Sequence, residues 1–357
     1  ATAPRASVAD MSAFRWVPER QETVPPGRIV RLPVESKCLR GNPLGDPDDR
    51  QLPVYLPPGY DEDSKRSYPV AFYLAGYMGI GASKLGWKPW QQDFVARLDG
   101  LIHRGEIGPL IVAFPDCFTL LGGSQYINSS SVGAYDDHLN LELVPLVDRS
   151  FRTLRSRESR AVLGKSSGGF GALVQGMLHP ETWGAVACHS GDAGFDLCFL
   201  TDMPRTIAEI AKSGSVAAFL SSFLARKKRS ASQSHAVMSL AMAACFDPLP
   251  DHPDGFVLPV RLDTGELLPE RWQRWLDWDP VRMIPRYAEE LRSLRYLLID
   301  CGTRDQYHLQ FGARQMKAAL ERLDVPFDYD EFPDNHSSID YRVEYSLPRL
   351  YAALELR

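Results

Sequence analysis

The chain has 357 residues, of which 44% are hydrophobic and 24% are charged, and its formal net charge is -5. This composition is ordinary for a globular protein, and the negative charge argues against binding to nucleic acid or to an anionic membrane surface. No apolar run reaches the ~18 residues that a membrane-spanning helix needs. We therefore expect one large core with an insertion, and no membrane span.

The six cysteines form no C-x-x-C pair, and several lie among apolar residues, as Cys188 and Cys301 do. In a chain of this size, such cysteines are more often buried free thiols than a disulfide framework. We therefore expect a cytoplasmic protein; a secreted form stays open, because a leader could have been removed before Ala1. No His, Cys and Asp residues have metal-site spacing, so the sequence predicts neither a metal nor a cofactor.

In chain order, the sequence begins with a polar, proline-containing stretch over residues 1–26, which we interpret as an N-terminal arm. Short apolar runs then alternate with stretches of helical periodicity. The predicted strands are 28–34, 52–56, 68–75, 109–114, 161–163, 183–188, 294–299 and 327–332, and the predicted helices are 90–103, 135–151, 171–178, 309–323 and 341–356. This alternation predicts an α/β fold with a mostly parallel central sheet and helices on both faces.

The alternation stops once, between residues 196 and 292, where no buried-strand run occurs. Helical stretches are found there at about 207–212, 216–226, 234–245 and 269–276. We interpret this segment as a largely helical cap inserted between two strands. The predicted organisation is an arm over 1–26, a core formed by 27–195 and 293–357, and a cap over 196–292.

The motif G-K-S-S-G-G-F at residues 164–170 lies between a predicted strand and a predicted helix. Its Gly-Lys-Ser could belong to a phosphate-binding loop, but that loop needs a glycine where Ser159 stands. The frame G-x-S-x-G fits Gly164, Ser166 and Gly168 instead. In this position the frame is typical of a nucleophile elbow, where a strained turn exposes a serine and a Cβ at either glycine would collide with backbone. The sequence thus predicts Ser166 as a nucleophile.

A serine nucleophile needs a general base, and the base needs an acid that orients it. In the hydrolase fold, the acid and then the base follow the serine along the chain. His336 lies between the last predicted strand and the last predicted helix, and it is the expected base. Asp305, on the loop after strand 294–299, is the expected acid, and Asp192, after the preceding strand, is its rival. We interpret His189 and His308 as structural.

The oxyanion formed by attack on a carbonyl needs two backbone N–H donors. One is expected from Ser167, the residue after the nucleophile. The other is expected from Tyr77, in the loop 76–79 after strand 68–75.

Three further features have both a structural and a functional interpretation. Trp272, Trp275 and Trp278 could line an acyl pocket, but we expect them to pack the cap on the core. The basic run 226–229 is expected to be a solvated helix end. Glu142 could contact substrate or serve as a buried structural carboxylate, and both interpretations stay open.

Several short motifs occur together with the elbow. They are V-Y-L-P-P-G-Y at 54–60, Y-P-V at 68–70, Y-I-N-S at 126–129, G-A-Y-D-D at 133–137, E-L-V-P at 142–145, F-R-T at 151–153 and D-C-G-T-R-D at 300–305. This set resembles the putative-esterase family of α/β-hydrolases, which includes esterase D, S-formylglutathione hydrolases, enterochelin-esterase-like proteins and antigen 85 mycolyltransferases. The resemblance implies an α/β-hydrolase fold with Ser166, Asp305 and His336 as the catalytic triad. Ala75 departs from the family pattern, which usually has His or Asp there, and so do Lys165 in the elbow and the large insertion.

The sequence therefore predicts a serine carboxylesterase-type hydrolase that forms an acyl-enzyme on Ser166 from a small-molecule ester, without a cofactor. An acyltransferase with the same triad is the alternative, because the sequence sets the nucleophile and not the acceptor that removes the acyl group. A hydrolase-fold protein used only for binding is a further alternative.

Overall fold

An eight-stranded sheet lies at the centre of the computed structural model, which describes residues 25–86, 89 and 91–356. Its strands are β1 Arg28–Glu35, β2 Asp49–Leu56, β3 Val70–Leu74, β4 Ile111–Ala113, β5 Arg160–Lys165, β6 Ala185–His189, β7 Tyr296–Gly302 and β8 Asp328–Phe332. They lie in the order β1-β2-β4-β3-β5-β6-β7-β8. β2 pairs antiparallel with β1 and β4, and the other neighbours are parallel. Almost all of the predicted arm, residues 1–24, lies outside the described residues.

The central strands are buried along their length. Every residue of β3 and of β6 is buried, as expected for parallel strands that are covered on both faces. Neighbouring residues of β3 enter different hydrophobic clusters, Phe72 one and Tyr73 the other, because successive side chains of a strand point to opposite faces. The predicted α/β architecture with a mostly parallel sheet is confirmed.

Helices and short turns make up most of the remaining chain. The α-helices are α1 Phe94–His103, α2 Tyr135–Asp137, α3 Val144–Ser150, α4 Ser167–Leu178, α5 Phe195–Cys198, α6 Met203–Ala211, α7 Val216–Ala225, α8 Ala231–Phe246, α9 Pro269–Leu276, α10 Pro280–Met283, α11 Ala288–Arg292, α12 Leu309–Arg322 and α13 Val343–Ala353. A π-helix, His138–Leu143, joins α2 to α3, so the helix predicted over 135–151 contains a widened turn. Short 3-10 helices span Gly81–Lys84, Arg157–Ser159, Leu200–Asp202, Ile284–Arg286 and Ile339–Arg342. Two small ribbons pair Phe118–Thr119 with Gly122–Gly123 and Asn128–Ser129 with Gly133–Ala134.

The helices α5 to α11 lie between β6 and β7, where the sequence predicts a cap. The longest, α8, begins with a capping box in which the side chains of Ser230 and Gln233 each bond the other's backbone N–H. Its last residue, Phe246, packs against Trp275, with ring centroids 5.6 Å apart. Trp272 and Trp275 are buried and Trp278 is partly buried against the same hydrophobic cluster, in keeping with a packing role, and that they pack the cap on the core stays a prediction. The division of the chain at residues 26, 195 and 292 stays a prediction.

In the described ranges, no single helix is long and apolar enough to cross a bilayer. The bent pair Phe195–Ala211 and Val216–Ala225, with 80° between its arms, has sufficient length and composition only when the two arms are taken together.

The register of the sheet determines which loops meet. Leu74 of β3 pairs with Gly164 of β5, and Lys165 pairs with His189 of β6, which in turn pairs with Asp300 of β7. The carboxyl ends of these strands therefore lie side by side at one edge. Ligand sites of α/β proteins commonly form at that edge, from the loops that follow the strands.

Candidate active site

Ser166 occupies the sharp turn between β5 and α4. Its backbone has φ 60° and ψ -128°, a conformation that side-chain-bearing residues rarely adopt. A Cβ on Gly164 would overlap the carbonyl of Gly168, and a Cβ on Gly168 would overlap the carbonyl of Leu74. The steric reason expected for the two glycines is therefore confirmed. The backbone N–H of Ser166 donates to the carbonyl of His189 at 3.0 Å, which ties the turn to β6.

A cavity of about 740 Å³ opens in front of this turn. The loops after β3, β5, β6 and β8 contribute Tyr77, Ser166, Ser167, Asp192 and His336 to its lining. The predicted cap contributes further residues to the lining, among them Phe199, Arg229, Ser230, Ala231, Ser234, His235 and Met238. Of the site residues predicted from the sequence, only Asp305 does not line this cavity.

Asp305 lies behind the imidazole of His336. Nδ1 of His336 donates to Oδ2 of Asp305 at 2.7 Å, and both side chains are buried. The other carboxylate oxygen accepts from the backbone N–H of Tyr307 at 2.9 Å, and the backbone N–H of His336 donates to Gln306 Oε1 at 2.9 Å. These bonds hold the acid and the imidazole in one orientation. Because Nδ1 is engaged by Asp305, Nε2 is the nitrogen left for chemistry in the cavity.

The rival carboxylate, Asp192, contacts the serines instead of the imidazole. Its Oδ2 accepts from Ser167 Oγ at 2.9 Å and from Gln125 Nε2 at 3.1 Å, and its Oδ1 is 3.5 Å from Ser166 Oγ. Burial raises the pKa of Asp192, and the hydrogen bonds from Gln125 and Ser167 oppose that rise. Within the described ranges, the Ser166 hydroxyl has one side-chain hydrogen bond, the long one of 3.5 Å to Asp192 Oδ1.

The loop after β3 passes close to Ser166. A Cβ built on Gly76 would lie 3.4 Å from Ser166 Cβ and 3.9 Å from its Oγ. The next residue, Tyr77, anchors its side chain by donating its hydroxyl to the carbonyl of Leu121 at 2.5 Å. The backbone at Gly76 and Tyr77 is thus held against the turn at Ser166.

The two other histidines considered after the serine, His189 and His308, occupy different positions. His189 is buried between Asp300 at 2.8 Å and Ser346 at 2.9 Å, in keeping with its structural interpretation. His308 precedes α12 with φ 63°.

Glu142 receives hydrogen bonds from Ser36 Oγ, from the backbone N–H groups of Lys37 and Cys38, and from His138. It does not line the cavity, so of its two interpretations the structural one holds. In the part of the chain that the structure describes, no group of three or more His, Cys, Asp or Glu residues could hold a metal ion.

Sequence reasoning missed Gln125 and the contact of Asp192 with the elbow. Gln125 belongs to no motif, and its role depends on a residue 67 positions away. The only available signal was the neighbouring motif that begins at Tyr126.

Solved structures with a similar overall fold define the class to which this fold belongs. A ferulic acid esterase from Anaeromyces mucronatus has a TM-score of 0.56 at 18% identity, with 94% of this chain and 95% of that chain covered. An S-formylglutathione hydrolase from Agrobacterium tumefaciens has a TM-score of 0.57 at 16% identity, with 93% and 97% covered. The fluorophosphonate-binding serine hydrolase F of Staphylococcus aureus has a TM-score of 0.57 at 14% identity, with 91% and 99% covered. Together with the sheet and the serine turn, this likeness establishes an α/β-hydrolase fold.

The family follows from the sequence comparison. A model of the putative esterase family matches residues 47–344, and the chain belongs to this family. The endo-1,4-beta-xylanase/feruloyl esterase of Xylanibacter ruminicola is 30% identical over 141 residues, and esterase Rv1288 of Mycobacterium tuberculosis is 31% identical over 146 residues. Each match covers 39% of this chain but only 19% and 28% of those relatives. The prediction of an esterase-type hydrolase is confirmed at the level of the family.

Proposed function

We propose that this protein hydrolyses carboxylic esters through an acyl-enzyme on Ser166, with His336 as general base and Asp305 as the orienting acid. The observation that carries the proposal is the 2.7 Å hydrogen bond from His336 Nδ1 to Asp305 Oδ2, beside a cavity that contains Ser166. A serine on a strained turn, an imidazole that lines the same cavity and a buried carboxylate behind the imidazole are the three groups that acyl transfer needs.

In the acylation step, His336 Nε2 removes the proton of Ser166 Oγ as that oxygen attacks the acyl carbon. The carbonyl π electrons move to oxygen, and the N–H groups of Tyr77 and Ser167 donate to the resulting oxyanion. Asp305 keeps the productive tautomer of His336 and stabilises the imidazolium.

Collapse of the tetrahedral intermediate breaks the bond to the alcohol, which leaves with the proton carried by His336. A water molecule then enters, His336 takes one of its protons, and the resulting hydroxide equivalent attacks the acyl-enzyme. The second tetrahedral intermediate releases the acid and returns the proton to Ser166 Oγ.

The cavity lining supports an acyl group of substantial size. Its volume of about 740 Å³ falls within the usual range of ligand pockets, and Phe199, Met238 and Tyr307 give it apolar surface. Of the matched proteins named above, one is named feruloyl esterase, one ferulic acid esterase and one S-formylglutathione hydrolase. Aromatic acyl esters are therefore part of the proposed substrate range, alongside linear ones.

The test is a set of initial rates on p-nitrophenyl esters from acetate to dodecanoate, on methyl ferulate and on S-formylglutathione. Wild type and Ser166→Ala are measured side by side. We expect a clear acyl preference and a fall in kcat of about 10⁴-fold or more in the variant, since the catalytic residues act as a unit. If Ser166→Ala keeps the wild-type rate, or if folded wild type neither turns over an ester nor reacts with a serine-directed phosphonate, the proposal is wrong.

The same assay distinguishes hydrolysis from acyl transfer. With an added alcohol, an esterase releases mainly the free acid, whereas an acyltransferase gives mainly the new ester. Product analysis with methyl ferulate and a short alcohol separates the two, and mainly transfer product would replace hydrolysis as the proposed reaction.

A further inference from the structure

Two adjacent residues, Gln125 and Tyr126, both have left-handed backbone conformations, with φ 57° and 58°. Neither is a glycine, both are buried, and residues with side chains rarely adopt this conformation. Strained backbone of this kind persists only where the surrounding contacts demand it, and it is frequent near functional sites. The contacts of the two side chains show what this strain achieves.

Gln125 reaches the nucleophile turn through one carboxylate. Its Nε2 donates to Asp192 Oδ2 at 3.1 Å, and the same oxygen accepts from Ser167 Oγ at 2.9 Å. Ser167 is the first residue of α4 and carries one of the two proposed oxyanion donors. The backbone of Ser166, in turn, is held by its carbonyl, which accepts from Phe170 N–H at 2.9 Å.

Tyr126 reaches the loop after β3. Its hydroxyl donates to the carbonyl of Ala75 at 2.7 Å, one residue before Gly76. The carbonyl of Tyr126 accepts from Gln175 Nε2 at 3.1 Å, and its ring occupies the space where a Cβ on Gly171 would lie. Tyr126 therefore connects α4, which starts at the nucleophile, to the loop that carries Tyr77.

The bond to Ala75 matters because the following residue is a glycine. Gly76 has the widest backbone freedom of any residue type, so the peptide planes on both sides of it need separate anchors. The hydroxyl of Tyr126 anchors the plane before Gly76. The backbone N–H of Gly79 anchors the plane after it, by donating to the Gly76 carbonyl at 2.9 Å. The N–H of Tyr77 belongs to this second plane, and because the peptide is planar its direction is then set.

We propose that Gln125 and Tyr126 are positioning residues that align the two oxyanion donors, Gln125 acting through Asp192 on Ser167 and Tyr126 acting through Ala75 on Tyr77. This proposal rests on the proposed ester hydrolysis at Ser166. One strained dipeptide thereby fixes the position of two N–H groups that come from loops after two different strands, while the bond from Gly79 sets the direction of the Tyr77 N–H.

The test compares Tyr126→Phe with a matched control, Tyr55→Phe. The hydroxyl of Tyr55 is also buried and donates to Asp99 at 2.6 Å, but Tyr55 lies in the other hydrophobic cluster. Both variants lose a buried hydroxyl, but only Tyr126→Phe loses the hydrogen bond to the Ala75 carbonyl. We expect kcat on the best p-nitrophenyl ester to fall about 10-fold in Tyr126→Phe with KM within about two-fold of wild type, because a misaligned donor weakens only the transition state. Tyr55→Phe keeps the wild-type kcat.

A second pair tests the other branch and does not depend on how well Tyr126→Phe folds. Gln125→Met removes the donor to Asp192 at similar volume, and Gln273→Met removes an exposed amide that donates to Asp277 at 3.0 Å. We expect a fall in kcat of about 10-fold in Gln125→Met and none in Gln273→Met. Thermal melting of all variants establishes which of them are folded.

The outcomes separate this proposal from the one on which it rests. If wild type is active, Ser166→Ala is inactive, and the Tyr126 and Gln125 variants match their controls in kcat, the positioning role is wrong and ester hydrolysis stands. A rise in KM with kcat unchanged also overturns the positioning role, because an oxyanion donor acts on the transition state. If wild type shows no ester hydrolysis that depends on Ser166, both proposals fall together.

Discussion

Two loops at the same edge of the sheet each place one buried aspartate at the candidate active site, but the two carboxylates have different partners. The loop after β7 directs Asp305 Oδ2 at the imidazole of His336, at 2.7 Å. The loop after β6 directs Asp192 at the hydroxyls of Ser167 and Ser166, at 2.9 and 3.5 Å. Each carboxylate also accepts a further hydrogen bond. The donor is the backbone N–H of Tyr307 for Asp305 and the side-chain amide of Gln125 for Asp192.

The difference teaches that the role of a buried carboxylate is decided by the group that each of its oxygens faces. A carboxylate on an imidazole nitrogen stabilises the positive charge that forms there when the base takes a proton. A carboxylate on hydroxyl donors gains nothing from that charge by direct contact, and it serves instead to hold the donors in place. The predictions that follow test this contrast.

The largest effect is expected from Asp305→Asn. Loss of the orienting charge should lower kcat by about 10³- to 10⁴-fold with little change in KM, because an amide no longer stabilises the imidazolium or selects the tautomer. Asp192→Asn is the matched control, with an expected fall of only about 10-fold. Steady-state kinetics on one p-nitrophenyl ester measures both, and equal losses would contradict the division of roles.

Glu142→Gln extends the comparison of Asp305 and Asp192 to a carboxylate that does not line the cavity. Burial alone would raise the pKa of Glu142, but hydrogen bonds from His138 and Ser36 and from two backbone N–H groups lower it to about 2. Loss of these charge-assisted bonds should reduce the free energy of unfolding by about 2 kcal/mol at pH 7 and leave kcat unchanged. Urea unfolding and ester kinetics measure the two quantities.

The pH dependence of the same variant gives an internal check. Because the folded pKa of Glu142 lies below its ordinary value of 4.5, its contribution is complete above pH 4.5 and is lost as the pH falls toward 2. The stability difference between wild type and Glu142→Gln should therefore shrink over that interval. A difference that is constant with pH would mean that the carboxylate charge does not stabilise the fold.

For Asp192 the sign is the opposite. Burial raises its pKa above 3.8, so its ionisation opposes folding: the contribution is favourable below pH 3.8 and is lost as the pH rises through the folded pKa. The melting temperature of wild type should fall relative to that of Asp192→Asn as the pH rises from about 4 towards neutrality. Asp46, Asp99 and Asp279 also have raised pKa values, but they are present in both proteins and cancel in the difference. A widening advantage of wild type over this interval would contradict the buried position of Asp192.

The smallest effect is expected at the part of the cavity wall that the predicted cap contributes. Met238→Ala, on α8, should enlarge the cavity and shift the preferred acyl chain to a longer one, with rate changes of a few-fold, since one or two methylenes in an apolar pocket discriminate weakly. Leu262→Ala, at an exposed position outside the cavity lining, is the control. The p-nitrophenyl ester series measures how the rate depends on acyl-chain length. If Met238→Ala and wild type show the same dependence, Met238 does not contact the acyl chain.

The sequence was most informative where a local pattern has a steric cause. The frame around Ser166 needs glycine at 164 and 168, and the structure shows the carbonyl oxygens that a Cβ would meet at both positions. The alternation of strands and helices likewise predicted a parallel sheet, and with it the edge at which Asp305 and His336 lie. Their assignment as acid and base stays a prediction, although a hydrogen bond joins them.

The sequence was least informative where a role depends on long-range contact. Asp192 was weighed only as a rival acid, because its position after a strand fits that role, and nothing local indicated that it would face Ser167. Gln125 gave no signal, because neither its left-handed backbone nor its carboxylate partner can be read from its neighbours. Glu142 had two possible roles until the structure showed its hydrogen bonds to residues more than a hundred positions away.

By itself, the sequence determined the fold class, the sharp turn at Ser166 and the family, because hydrophobic periodicity, glycine spacing and motif order act over short stretches of chain. The sequence favoured Asp305 as the partner of the imidazole, and only the tertiary structure showed that its rival, Asp192, faces the serines. This arrangement depends on the register of β5, β6 and β7 and on the loop at Gln125 and Tyr126, which bring together side chains that are far apart in the sequence.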